Sequence, residues 1–210
     1  MIEIDRLGRR YGSRWALSNV SVRIRDASVV MVAGPNGSGK STLFRILATA
    51  IRPHCGTATI DGWDLDRHRD DIRRSVALLT HASYLYEPLT GLENLRVSAD
   101  HLGRSRHGLM PLLERVGLAA RANDPVAAYS AGMRKRLSFA RVLLQEPRVV
   151  MLDEPYGQLD PEGFTLVDEV VRELRQRGAT VLMATHQLER GTKLADSMLF
   201  LEAGRVVRTC

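Results

Sequence analysis

The chain has 210 residues, of which 44% are hydrophobic and 26% charged, with a net charge of +6; this is the composition of a globular protein with a sizeable core. No apolar run approaches the roughly 18 residues that cross a bilayer, and the charged start Met1-Ile2-Glu3-Ile4-Asp5 does not resemble a signal peptide. Two cysteines, Cys55 and Cys210, exclude a disulfide framework. Scattered arginines with only 5% aromatic residues give no base-stacking platform, so no nucleic-acid partner is expected.

Residues 2–33 read as strand-rich, with Ile2-Glu3-Ile4 and Val20-Ser21-Val22-Arg23-Ile24 alternating and Gly12-Ser13 and Asp26 marking turns. The apolar run Val29 to Ala33 is followed by a glycine-rich stretch and then a helical pattern from Leu43 to Ile51, ended by Pro53. Gly56 to Ile60 and Val76 to Leu79 read as short strands. From Pro88 to Arg121 the pattern is helical. Thr90-Gly91-Leu92-Glu93 spells a capping box, and Met110 to Val116 forms a second apolar face. Ser130 begins a long helix through Leu144. Val149 to Leu152 reads as a buried strand, Pro161 to Arg177 as a helix and Thr180 to Ala184 as another strand. Two last strands, Ser197 to Leu201 and Arg205 to Val207, flank Glu202-Ala203-Gly204. Trp15 and Trp63 read as packing residues. Strands alternating with helices predict an α/β fold with a covered, largely parallel sheet, interrupted by a helical insertion.

Two stretches carry the chemistry. Gly34-Pro35-Asn36-Gly37-Ser38-Gly39-Lys40-Ser41-Thr42, between strand and helix, fits a phosphate-binding loop. Its glycines let backbone N–H groups turn inward, and the helix N-terminus completes an anion cradle. Lys40 is placed to reach the β- and γ-phosphates and Ser41 to hold Mg²⁺. The second stretch, Val149 to Leu152, ends in Asp153-Glu154-Pro155. Beside a phosphate loop, Asp153 supports the Mg²⁺ shell and Glu154 acts as general base on the attacking water.

Taken together, these stretches and four shorter ones resemble the nucleotide-binding domain of ABC ATPases over nearly the whole chain. Gly34 to Thr42 matches Walker A and Val149 to Glu154 matches Walker B. Ser130-Ala131-Gly132-Met133 resembles the signature, usually Leu-Ser-Gly-Gly-Gln. Gln158-Leu159-Asp160 resembles the D-loop and Ala184-Thr185-His186 the switch-histidine segment, while Tyr11 stands where the family has an adenine-stacking aromatic. The resemblance implies a P-loop NTPase (RecA-like) core with an N-terminal antiparallel β region and an inserted α-helical subdomain. Residues 1–210 would form one domain, with 1–82 and 136–210 as the nucleotide-binding core and 83–135 as the insertion. It implies ATP and Mg²⁺ as ligands and a head-to-tail homodimer in which Ser130, Gly132 and Asp160 meet the partner's nucleotide. Glu154 and His186 would be the hydrolytic pair.

The chain departs from the family pattern where a Q-loop glutamine is usual: Thr80-His81-Ala82-Ser83 holds none, and His81 aligns best as its substitute. Tyr84 to Leu95 lies where the family meets its permease, so an integral-membrane permease is the implied partner and the cytoplasmic face of the inner membrane the implied location. The Ser-Ala-Gly signature, the Thr-His at the Q-loop and the short length are similar to the CcmA group, the haem-export ATPases of bacterial cytochrome c maturation. Small drug or ion exporters, and non-transport ABC ATPases, are the alternatives. A P-loop kinase is disfavoured by the signature and His186.

Overall fold

In the computed structural model, which describes residues 1–210, the chain runs β1 (Ile2–Tyr11), β2 (Arg14–Ile24), β3 (Val29–Ala33), α1 (Lys40–Leu47), β4 (Cys55–Ile60), β5 (Trp63–Asp64), α2 (Arg69–Ser75) and β6 (Val76–Leu79). It continues through α3 (Gly91–Leu102), α4 (Leu109–Arg115), α5 (Ala131–Gln145), β7 (Val149–Asp153), α6 (Pro161–Gln176), β8 (Thr180–Ala184), α7 (Leu188–Leu194), β9 (Ser197–Glu202) and β10 (Arg205–Thr209). Two short 3₁₀ turns, Ala119–Arg121 and Val126–Ala128, separate α4 from α5.

Two sheets form. A four-stranded sheet has the order β2-β1-β4-β5 and is antiparallel. A six-stranded sheet has the order β10-β9-β3-β8-β7-β6. In it β9, β3, β8, β7 and β6 run parallel, and β10 adds an antiparallel edge. Strands of a sheet covered on both faces lose the polar alternation of a half-exposed strand, and β3 and β8 are buried at every position. The alternation survives in the destination of the side chains. Val149 and Met151 of β7 pack with β1, β2, β4 and α1, whereas Val150 and Leu152 pack with α3 to α6. The central sheet is thus the wall between two cores.

Local sequence explains most element ends. Thr90 caps α3 by a reciprocal box, its Oγ1 accepting from Glu93 N at 3.1 Å and Glu93 Oε2 accepting from Thr90 N at 2.8 Å. Asp160 caps α6 through Gly163 N at 2.8 Å, with Pro161 in the first turn. Three expectations are corrected. The helix after the phosphate loop stops at Leu47, because Thr49 turns to φ +56° well before Pro53. Met110 is 43% exposed, so the apolar face of α4 consists of Leu109 and Leu113, with Val116 just beyond. Trp15 and Trp63 stay 45% and 42% exposed and contribute little to the core.

Two helices have no predicted counterpart. α2 buries only Ile72 and so lacks an apolar stripe. α7 has Gly191 at its centre, tolerated because the helix lies against Met31, whose Sδ would be 2.9 Å from an added Cβ.

Replacing Thr90 with Ala should cost about 1 kcal/mol of stability, seen as a lower urea midpoint at unchanged slope, while Thr90→Ser should retain most of it.

Candidate functional site

The parallel strands end at one edge of the sheet, and the chain leaves β3, β6, β7 and β8 there into four loops. Register fixes their relative positions: Leu79 pairs with Leu152, and Asp153 with Ala184. Thr80, Asp153 and Ala184 therefore stand side by side, with Glu154 and Thr185 one residue further on and Gly34 opening the loop after β3.

That loop can form only with glycine at its tightest points. At Gly34, with φ +141°, a Cβ would lie 2.0 Å from Leu201 O. At Gly39, with φ +110°, it would lie 2.5 Å from Ala16 O. The space so preserved opens onto a cavity of about 470 Å³. Its walls include Lys40, Ser41, Asp153, Glu154 and His186, with Tyr11 at the mouth. Lys40 Nζ donates to Gly34 O at 2.7 Å and Pro35 O at 3.0 Å, an internal arrangement that an incoming phosphate can replace with charge-assisted bonds.

Glu154 and His186 touch. Glu154 Oε1 lies 3.4 Å from His186 Nε2, and Glu154 Oε2 accepts from His186 N at 3.3 Å. Glu154 has φ +50°, an uncommon conformation for a non-glycine residue, held in part by its N–H donating to Ala184 O at 2.9 Å. Tyr11 is 48% exposed, and the Arg9 guanidinium lies over its ring, 5.0 Å from the centre.

The donor set suits Mg²⁺. The Ser41 hydroxyl and the Asp153 carboxylate line the same cavity, and Mg²⁺ characteristically takes one or two protein oxygens and completes its octahedron with phosphate and water. No cluster of three or more His, Cys, Asp or Glu that could enclose a metal exists elsewhere.

Ser130, Gly132, Asp160 and His81 do not line this cavity. Ser130 caps α5, its Oγ accepting from Met133 N at 3.2 Å. Gly132 packs against the D-loop backbone, where a Cβ would sit 3.0 Å from Gln158 O. Asp160 accepts from Arg136 Nη2 at 2.9 Å, and its bonds from Gly163 N and Arg136 hold its carboxyl below the usual range. His81 lines a second recess of about 380 Å³ with Ala131, Lys135 and Gln158; its Nε2 is 3.4 Å from Gln158 Nε2.

Among known proteins, the family model described as "ABC transporter" matches residues 17–157. The chain belongs to the ABC transporter family. It is 41% identical to a daunorubicin resistance ATP-binding protein, DrrA3, of Streptomyces coeruleorubidus over 98% of this chain and 66% of that one. It is 33% identical to the lantibiotic transport ATP-binding protein SrtF of Streptococcus pyogenes over 99% of this chain and 89% of that one. It spans just under two thirds of the length of the first of these relatives. Its fold overlays the structure of an ATP-binding subunit of an ABC transporter with a TM-score of 0.92 and 30% identity, covering 100% of this chain and 89% of that one. A dimeric post-hydrolysis state of the ATP-binding cassette MJ0796 bound to ADP and Pi also overlays with a TM-score of 0.92, at 25% identity, covering 100% of this chain and 98% of that one. The fold is thus the P-loop ABC cassette with its antiparallel β region, and the domain is an ABC-type ATPase. No helix is long and apolar enough to cross a membrane.

Two residues of this ABC cassette's site had no sequence signal. Arg14 joins the cavity wall near Gly37, brought there only by the β1–β2 turn. Lys135 is 5% exposed, and its Nζ donates to Thr80 O at 3.4 Å. In the sequence it stands as one of three consecutive basic residues, which read as a solvated run. Burial pulls its pKa down to about 8, against the opposing charges of Asp153 and Glu154.

Below pH 8 the lysine is charged in both folded and unfolded chains, and its burial costs stability. Between 8 and its ordinary 10.5 the folded form loses the proton first, so the unfolded state binds more protons and stability rises with pH. Lys135→Met should lack that rise, so its stability advantage over the native chain should shrink as pH increases from 8 to 10.5 in paired denaturant titrations.

Proposed function

We propose that this cassette hydrolyses ATP to drive a separate membrane permease, exporting small drug-like compounds. The observation that carries the hydrolytic part is the contact of Glu154 with His186 on the wall of the cavity that also holds Lys40, Ser41 and Asp153. ATP enters with its adenine on Tyr11 and its phosphates over Gly34, Pro35, Asn36, Gly37, Ser38, Gly39 and Thr42. Lys40 exchanges its two loop carbonyls for β- and γ-phosphate oxygens. Ser41 and Asp153 would hold Mg²⁺, which would neutralise charge developing on the phosphates. Glu154 accepts a proton from the attacking water. His186 holds Glu154 and the γ-phosphate in line.

The placement of Ser130 and Gly132 outside their own chain's cavity supports a role in trans. In a head-to-tail homodimer, the N-terminus of α5 would point its free N–H groups at the partner's γ-phosphate, with Asp160 alongside. The dimeric cassette among the similar structures supports this assembly. Residues 83–135 form the unit that moves with the signature, and 1–82 with 136–210 form the core that holds nucleotide.

A permease partner, and with it a peripheral site on the cytoplasmic face of the membrane, is supported by a groove of about 1070 Å³ near the end of β6. Tyr84 and Tyr86, 74% and 59% exposed, stand on its rim. A cytoplasmic coupling helix of a permease fits such a groove. The drug-export reading is supported by the likeness to the daunorubicin resistance protein. A second reading, haem export in cytochrome c maturation, is supported by the Ser130-Ala131-Gly132 signature and by Thr80-His81 alone. Purifying the tagged chain from gently solubilised membranes separates them: a permease from a drug-resistance operon supports the first, a haem-handling membrane protein the second, and the absence of any membrane partner refutes both.

Glu154→Gln should bind ATP normally, lose about 10²- to 10⁴-fold in hydrolysis and accumulate an ATP-bound dimer by light scattering; a monomer at saturating ATP and Mg²⁺ would contradict the head-to-tail homodimer. His81→Ala should lower the ATPase rate and alter its Mg²⁺ dependence, and an unchanged rate and Mg²⁺ titration would remove His81 from the Q-loop role.

A further inference from the structure

Behind the hydrolytic pair lies a cluster of four side chains that the scheme above does not use. Tyr156 follows Glu154 by two residues and is 2% exposed; its phenol donates to Asp168 Oδ1 at 2.6 Å. Arg190 follows His186 by four residues, and its Nη1 donates to Asp168 Oδ2 at 2.7 Å. Asp168 sits on α6, and its side chain is 15% exposed. Each of its oxygens therefore holds one of the two segments that carry Glu154 and His186.

Phe164, one turn earlier on α6, closes the cluster. The Arg190 guanidinium stacks 5.3 Å from its ring centre, and Tyr156 meets it edge-on at 5.6 Å and 86°. None of the four lines the nucleotide cavity. Burial, reinforced by the bond to Asp168, pushes the Tyr156 phenol up from its ordinary value, which keeps it a proton donor.

The cluster answers a need of the site. The Glu154–His186 contacts, at 3.3 and 3.4 Å, are long for strong hydrogen bonds. Glu154 also holds φ +50°, a conformation that persists only where surrounding structure fixes it. His186 lies in a connection of three residues, Thr185 to Gln187, before a seven-residue helix. An apolar trio would fill the same space without the desolvation cost of a half-buried ion pair, so the polar cluster implies a demand for geometry beyond packing.

We infer that Asp168 is a positioning residue that clamps the Glu154 turn, through Tyr156, to the His186 segment, through Arg190, and so sets the separation of the hydrolytic pair. This rests on the hydrolytic roles proposed above. Tyr156 and Arg190 are the two arms of the clamp, and Phe164 is its floor.

The test uses the full chain and four variants, Asp168→Asn, Tyr156→Phe, Arg190→Met and Arg190→Lys, with Glu154→Gln prepared alongside. Each of the first three should lower kcat by about 10- to 100-fold, the range expected when a catalytic group is misplaced by about 1 Å. KM and ATP affinity should stay within about twofold, since the phosphate cradle is untouched. Arg190→Lys should recover part of the loss. Combining Tyr156→Phe or Arg190→Met with Asp168→Asn should add little, because all three act through one carboxylate. Hydrogen exchange, which does not depend on turnover, should rise in both 154–158 and 186–190 in Asp168→Asn. If that variant fails to fold, Tyr156→Phe, which preserves the ring packing, carries the test. Unchanged kcat and exchange, or a parallel loss of ATP affinity, would overturn the clamp. Full activity in Glu154→Gln would instead overturn the hydrolytic assignment beneath it.

Discussion

Everything at this site depends on parallel strands that finish at one edge of a buried sheet. Hydrogen-bond register leaves no freedom in which residues become neighbours there: once Asp153 pairs with Ala184 and Leu79 with Leu152, the carboxylates, the Thr80–His81 loop and the Thr185–His186 loop must emerge together. Both sheet faces are covered by apolar cores, and slipping a strand by one residue would turn every core side chain to the opposite face. The edge can therefore carry strained and charged groups, such as Glu154 at φ +50°, because the hydrophobic strands behind it hold the backbone in place.

Charge is distributed around that edge with a division of labour. Lys40 lies in front, bonded to carbonyls that it can exchange for phosphate oxygens. Lys135 lies behind, largely buried and hydrogen-bonded to Thr80 O, where its field falls on Asp153 and Glu154. Because Lys135 rides on α5 and the carboxylates sit at the end of β7 and just beyond it, a shift of α5 against the sheet changes the electrostatics of the carboxylates. In the proposed dimer the same helix presents Ser130 and Gly132 to the other protomer, so one rigid element would report both on its partner's nucleotide and on its own hydrolytic edge. The Asp168 clamp acts at the opposite flank, where α6 and α7 meet.

Much of the fold was legible along the chain. The phosphate loop, the strand ending in Asp153-Glu154 and the capping box at Thr90 are local chemistry: short-range sterics and hydrogen bonds demand those residue types at those spacings. α2 and α7 were not legible, since one has a single buried residue and the other a central glycine, and neither shows a helical stripe. The exposed tryptophans and Met110 misled for the complementary reason, because hydrophobicity states a preference for burial without saying whether a neighbour will arrive to provide it.

The sequence by itself determined which groups are proposed to bind phosphate, hold Mg²⁺ and activate water, since a glycine-rich turn, a lysine at the helix start and carboxylates at a strand end are recognisable from residue type and spacing alone. Only the tertiary structure decided which of them share a cavity. It joined Lys40, Asp153, Glu154 and His186 across more than half the chain, set Ser130, Gly132 and His81 apart from them, and buried one lysine of a basic run while leaving its neighbours more exposed. It also bound Tyr156 and Arg190 to opposite oxygens of Asp168. Those relations come from strand order, register and helix packing, which are long-range properties that no short stretch of sequence contains.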